Sequence, residues 1–336
     1  MLSHDHTVWA AGDNMYGQLG IDSRDHMIMI NFVKVLSGGA RTLAAGGGHS
    51  LVLKQDGSVC TTGKNVYGQL GDGSNMDKDN FVQVIRSLAK AVAAGAEHSL
   101  VVMRDGAVLA TGYNLHGQLG DGSTTDRNRF FQVISSGAED AAAGSEHSLV
   151  LKQDGSMWVT GGNEYGQLGV TSAPLNSAFA QVVSSGVKAI AAGGRHSMVL
   201  KEDGSVWVTG DNQYGQLGDG STYLKRNFEQ VISDGAKAIA AGNEHSMVLK
   251  QDGSVWTTGR NNFGQLGNGT LEAFRTTFIE VISSGVQAVA AGGWYSMTLS
   301  NGRLWATGAN GKGQYGDGSR VAKNVYVRVF QSHDGA

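Results

Sequence analysis

The apolar residues of this chain fall in short runs of five or six, each bounded by Gly, Asn, Asp or Ser. "FAQVVS" (Phe179–Ser184), "VKAIAAG" (Val187–Gly193), "HSMVLK" (His196–Lys201) and "SVWVTG" (Ser205–Gly210) succeed one another in this way. Runs of that length, rich in Val, Ile, Thr and Trp and closed by turn formers, predict strands. The last two are joined by "EDG", a hairpin signal because glycine tolerates the positive φ of the turn. No segment carries a 3.6-residue apolar period long enough to predict a helix.

The four runs return at a fixed interval. "GQLG" begins at Gly17, Gly68, Gly117, Gly166, Gly215 and Gly264, and "GQYG" at Gly313, in steps of 51 and then 49. A constant period in this range marks stacked supersecondary units. Four short strands per unit, about seven times over, predict an all-β, seven-bladed β-propeller of four-stranded blades. The chain opens in "HTVWAAG", which matches a fourth run, and closes on "VYVRVF" (Val325–Phe330), which matches a first. The expectation is one propeller domain over residues 1–336, with six complete blades over about 31–308. An atypical seventh is expected to join 1–12 to 320–331, a closure that protects sheet edges. "AAGxxHS" occurs six times, counting "AAGGWYS". Either the seventh blade has two strands, or the chain is a piece of a longer one.

The Gly- and Asp-rich "GDGS" stretches invite two functional readings, and both fail on context. A phosphate loop needs a helix N-terminus behind it, and none is predicted. "DGSNMDKDN" (Asp72–Asn80) gathers three carboxylates, but calcium-loop spacing and its terminal bidentate Glu are missing. Turn geometry and local side-chain-to-backbone bonds account for Gly and Asp better. "HS" recurs at His49, His98, His147, His196 and His245, each with an Asp seven residues on. Neighbours on a strand point to opposite faces, so this is no Ser-His-Asp triad, and buried, hydrogen-bonded histidines are expected. Trp9, Trp158, Trp207, Trp256 and Trp305 share a slot with Cys60 and Leu109, an interchange that indicates packing. No catalytic residue, cofactor or metal site is expected.

Composition narrows the classes further. A net charge of −3 gives no basic footprint for nucleic acid. Cys60 is the one cysteine, which suits a reducing compartment. No apolar run reaches membrane-spanning length, and "MLSHDHTVW" lacks the marks of a signal peptide. An intracellular site, cytoplasmic or nuclear, is therefore expected.

The repeat unit "HSxVLKxDGSVWxTGxNxYGQLGDGS" resembles the regulator of chromosome condensation repeat, over essentially the whole chain. The resemblance implies a seven-bladed propeller of roughly 50-residue blades. It implies function only loosely, because the family includes an exchange factor for the small GTPase Ran, the plant UV-B photoreceptor and substrate-recruiting domains of ubiquitin ligases. The photoreceptor's Gly-Trp-Arg-His-Thr motif has no counterpart in "GGGHS", "GAEHS", "GSEHS", "GGRHS", "GNEHS" or "GGWYS". A wedge-like hairpin of the Ran exchange factor has no visible length excess to accommodate it.

Individuality in a repeat protein sits where the repeat lets go. Met27, Ile28, Met29 and Ile30 form an apolar run in the one loop with a two-residue insertion, which reads either as a candidate contact surface or as a run that folds back to extend the first strand or cover the seventh-blade gap. Arg127, Arg129, Lys225 and Arg226 are candidates for a locally basic rim. Trp294 is the best lone anchor. The expected function is a non-enzymatic protein-interaction module or scaffold, as a subunit or domain of a larger assembly. The alternatives are nucleotide exchange on a Ran-like GTPase and substrate recruitment for a ubiquitin ligase.

Overall fold

The computed structural model describes residues 1–22, 27–171 and 174–330. Every regular element among them is a strand. The chain divides into two compact units, Met1–Glu164 with Ser172–Ser185, and Tyr165–Thr171 with Gly186–Ala336.

The first unit begins with a two-stranded antiparallel sheet, β1 (Val8–Asp13) against β2 (Ile28–Leu36). Three four-stranded sheets follow. The first is β3–β6 (Ala40–Ala45, His49–Lys54, Val59–Gly63, Lys78–Ile85). The second is β7–β10 (Ala89–Ala94, His98–Met103, Val108–Gly112, Arg127–Ile134). The third is β11–β14 (Ala138–Ala143, His147–Lys152, Met157–Gly162, Leu175–Val183). The second unit holds three more. They are β15–β18 (Val187–Ala192, His196–Lys201, Val206–Gly210, Lys225–Ile232), β19–β22 (Ala236–Ala241, His245–Lys250, Val255–Arg260, Phe274–Ile282) and β23–β26 (Ala288–Ala291, Tyr295–Ser300, Arg303–Gly308, Lys323–Phe330). Each four-stranded sheet is an antiparallel meander in chain order.

The strands appear where the apolar runs predict them, but the sheets start one run later. The run expected to open a unit, such as Phe179–Ser184, lies in β14 and closes the preceding sheet: Met157 pairs Val183 and Gly162 pairs Leu175. The cause is local. The Thr62 hydroxyl, at the end of β5, donates to the Lys78 carbonyl at the start of β6. Asn65 folds the intervening loop back over the same sheet edge.

A shift of one strand changes the expected closure. The C-terminal strand β26 pairs with β25, Trp305 opposite Arg328 and Gly308 opposite Lys323. The N-terminal strand β1 pairs with β2, Gly12 opposite Met29. Residues 1–12 and 320–331 therefore lie in different sheets, and the six four-stranded sheets start near residue 40 and end near 330. Among the described residues, no strand pairing joins the two terminal segments in one sheet.

Cores form between neighbouring sheets of each unit. In the first, Leu100, Val102, Val108, Ala110 and Leu119 meet Ala138, Ala141 and Val150, with Trp158 and Phe179 packed alongside. In the second, Met198, Leu200, Val206, Val208 and Leu217 meet Ala236 and Val248, with Trp256 and Phe278 alongside. The Trp slot thus packs against a neighbouring sheet, and Lys152, Lys201 and Lys250 cap three of its indoles at 4.1–4.3 Å.

Candidate functional site

Each four-stranded sheet has two ends. One carries the short "DGS" turns between its second and third strands. The other, the GQLG end, carries the "Gxx" loop before the His-Ser strand and the long GQLG–GDGS loop. At that end, residues next to one another in sequence have opposite roles.

The GQLG segment is a latch onto the next sheet. Ser99 and Thr111 donate to the Gln69 and Gly68 carbonyls at 2.7 and 2.9 Å, and the pattern recurs at Ser148, Thr160, Ser246 and Thr258. Gly68 has φ +79°, and a Cβ there would stand 2.4 Å from the Asn128 Cα. No other residue fits that approach. The Asp of the GDGS turn is consumed locally. Asp72 accepts the Ser74 N–H at 2.8 Å, the Ser74 hydroxyl at 2.9 Å and the Asn65 amide at 3.1 Å, with Lys78 Nζ at 3.4 Å. Burial pushes the Asp72 carboxyl up, but these partners outweigh it and leave it below its ordinary value. Asp121 and Asp219 repeat the arrangement. The turn-geometry reading of these loops holds.

The histidines are buried as expected, and their partner is a serine the sequence conceals. His49 Nε2 meets Ser99 Oγ at 2.8 Å, His98 meets Ser148 at 2.8 Å, and His196 and His245 meet Ser246 and Ser296 at 2.9 Å. Each of these serines gives its proton to a GQLG carbonyl, so the imidazole Nε2–H must donate to the hydroxyl. A serine held in that sense is not activated as a nucleophile. Burial lowers the imidazole pKa to about 4 at His49, His147 and His245, and burial with neighbouring histidines to about 3 at His98. The seam is neutral and structural.

One residue before each His, the loop reaches the surface and varies: Gly48, Glu97, Glu146, Arg195, Glu244 and Trp294. Glu97 takes Lys64 Nζ and the buried Gln69 Nε2, both at 2.6 Å. Lys64 lies over the Tyr16 and Tyr67 rings at 5.5 and 5.8 Å. Tyr67 stacks on Tyr113 at 4.7 Å, and His116 reaches Glu146 at 3.6 Å. In the second unit Arg260 pairs with Glu244 at 2.6 Å and covers Tyr214 at 4.6 Å. Arg195 covers Tyr165 at 4.4 Å, and Trp294 packs on Phe263 at 5.9 Å. A cation on an aromatic platform, closed by a carboxylate, is the recurring motif. Sequence reasoning singled out the Glu series and Trp294. It missed the platforms in the slot before GQLG and the cations Lys64 and Arg260.

The other candidates scatter. Met27 is exposed, but Ile28, Met29 and Ile30 are half-buried at the start of β2, with Met29 opposite Gly12. The run extends a strand and is not a free loop. Arg127 is neutralised by the buried Asp121 at 2.8 Å, and Lys225 by Asp219 at 3.0 Å and Glu229 at 2.9 Å. Arg226 lies against Gly166, and Arg129 over Gly73. Arg127 and Arg129 line a groove of about 530 Å³ with Tyr67, Asn75, Asp126 and Phe131. Two of the four proposed cations are thus tied to their own loops.

The regulator of chromosome condensation (RCC1) repeat matches residues 41–69, 89–118, 139–167, 187–216 and 236–265 in one form, and 56–102, 203–249 and 252–299 in another. The chain belongs to the RCC1 repeat family. The matches of the first form start in the first strand of a four-stranded sheet, in agreement with the observed sheet boundaries. Yeast RCC1 (Prp20), solved bound to Kap60, superposes with a TM-score of 0.87 at 21% identity, over 99% of this chain and 86% of that one. Prp20p of Saccharomyces cerevisiae, solved in work on its binding to Gsp1p and histones, gives 0.87 at 22% identity over 99% and 88%. Human WBSCR16 gives 0.85 at 21% over 97% and 94%. At these identities the likeness establishes the propeller fold. A 68-residue stretch is 38% identical to the secretion-regulating guanine nucleotide exchange factor of Bos taurus, and it spans 19% of this chain and 14% of that protein.

Proposed function

We propose that this RCC1-repeat chain is a non-enzymatic protein-interaction module, a scaffold or part of a larger assembly, that docks partners on the GQLG ends of its sheets. In this reading the six four-stranded sheets are blades, and the two-stranded N-terminal sheet is a reduced seventh. One observation carries the docking assignment. Among the described residues, every exposed large apolar side chain except Leu88, Phe131, Leu299 and Val325 lies in a GQLG-end loop or on the first residue of the strand that leaves it. Met76 and Tyr223 are 71% and 79% exposed there, and Trp294 is 43% exposed. Apolar side chains gathered on one end, among charged pairs, mark a contact surface, and exposed aromatics are the usual anchors. Cys60 is a free, buried thiol, which fits an intracellular setting.

The test is capture from the source lysate by the parent chain and by a Tyr223→Ser, Leu271→Ser, Trp294→Ser variant. All three positions lie in loops, so the sheets are expected to stay intact, which a thermal melt checks. A defined protein held by the parent and lost by the equally stable variant supports the reading. Equal capture contradicts it. A second reading, nucleotide exchange on a Ran-like GTPase, is favoured by the fold shared with Prp20 and by the stretch shared with an exchange factor. Release of fluorescent GDP from such a GTPase decides it: acceleration of about a hundredfold supports exchange, and an unchanged rate rejects it.

A further inference from the structure

The slot before the His holds a chain carboxylate at Glu97, Glu146 and Glu244, which meet Lys64, His116 and Arg260 in turn. At Arg195 the sign is reversed. The guanidinium lies 4.4 Å over the Tyr165 ring and donates one N–H to the Tyr165 hydroxyl at 2.9 Å. Among the described residues no carboxylate meets it, and its side chain is exposed. Gln167, the counterpart of Gln69 in this copy, is fully buried, and its Oε1 accepts the Tyr165 N–H at 3.0 Å just as Gln69 Oε1 accepts that of Tyr67. In the Gln69 copy the amide Nε2 is spent on Glu97 at 2.6 Å. In the Gln167 copy Nε2 is buried and has no partner. Gln118, Gln216 and Gln265 share that unspent amide, but only at Gln167 does a cation occupy the carboxylate's place.

We propose that this slot is a receptor for a carboxylate supplied in trans, by an Asp or Glu side chain in an acidic segment of a protein partner. The claim rests on the docking reading above and adds the chemistry of one contact. At Glu97 the chain completes the cation, aromatic and amide set itself; at Arg195 no carboxylate of the described residues does so. A guanidinium held over an aromatic ring and bonded to its hydroxyl has little further freedom to lose, and its fork matches a carboxylate bidentately. Charge complementarity therefore selects an anionic partner over a basic one, although the whole chain is acidic. Because Gln167 Nε2 is covered, the incoming carboxylate engages Arg195 first and reaches the amide only as the guanidinium tilts.

The test uses the full chain and a fluorescein-labelled, C-terminally amidated peptide of alternating Glu and Leu, with its Gln–Leu counterpart as control. Anisotropy is read for the parent, Arg195→Glu, which restores the repeat's own carboxylate, and Arg195→Lys. Expected are salt-sensitive binding of the Glu peptide by the parent, a loss of tenfold or more in Arg195→Glu, partial retention in Arg195→Lys, and no comparable binding of the Gln peptide. Absence of binding by the parent, or equal binding by Arg195→Glu, overturns the proposal. Lysate capture by Arg195→Glu separates the two claims. A protein that the triple loop variant loses but Arg195→Glu retains leaves the docking reading standing and overturns the carboxylate slot.

Discussion

Glu97 and His98 are adjacent in the chain and answer to different constraints. His98 is fully buried, donates to a serine of the next sheet, and recurs as the same residue in five of the six copies. Glu97 is a quarter exposed, pairs with a lysine, and is Gly, Glu, Arg or Trp at the equivalent positions. In the seam water is no alternative partner for the histidine–serine–carbonyl chain, although the His98 Nδ1 is left without one, so its chemistry is tightly constrained. The surface loop has water as an alternative partner, so its chemistry is free to become specific. One repeat therefore contains both a scaffold and a variable face, separated by a single peptide bond.

The sharpest way to break that contrast is to attack the seam where backbones touch. Gly68→Ala places a Cβ 2.4 Å from the Asn128 Cα at a positive φ, and a loss of about 3–5 kcal/mol is expected from such enforced clashes. Urea unfolding measures it, and a loss under about 1 kcal/mol would show that GQLG is not a latch.

Acid is the next lever. The buried imidazoles sit near 4, or near 3 for His98, in the folded chain, against about 6.5 when unfolded. The unfolded chain therefore binds the extra protons as pH falls below about 6.5, and stability drops towards pH 4, by about 3 kcal/mol per histidine when complete. Stability at pH 7 and pH 5 should differ steeply, and His98→Gln should flatten the slope by up to one proton.

The variable face should respond far less. Glu97→Gln removes a part-exposed pair with Lys64 while sparing the shape, and about 0.5–1 kcal/mol is expected. Trp294→Ala is expected to move stability little, because its side chain is 43% exposed and its ring contact is with Phe263, itself an exposed loop residue. A large melting shift for either would place the residue in the scaffold.

The strands and the repeat were legible because short apolar runs and fixed turn residues are local signals. Sheet membership was not. A run such as Phe179–Ser184 pairs equally well on paper with what precedes or follows it, and a Thr hydroxyl reaching across the loop end decides the matter. The Met27–Ile30 run was ambiguous for a related reason: apolar residues in an insertion read equally as a surface or as a strand extension, and three of the four continue a strand. The candidate face was half legible. Glu97, Arg195 and Trp294 stand out as breaks in a repeat, but their partners Lys64, Tyr165 and Phe263 lie about thirty residues away, and the sequence carries no sign of the contact.

Site-specific photo-crosslinking tests the docking assignment most directly. A benzophenone side chain is placed at Trp294 or Tyr223 on the GQLG end, and at Leu88 away from it, and the protein is irradiated in its source lysate. One and the same protein is expected to be trapped from Trp294 and Tyr223, with none from Leu88. Trapping from Leu88 alone would put the interaction surface elsewhere and contradict the account.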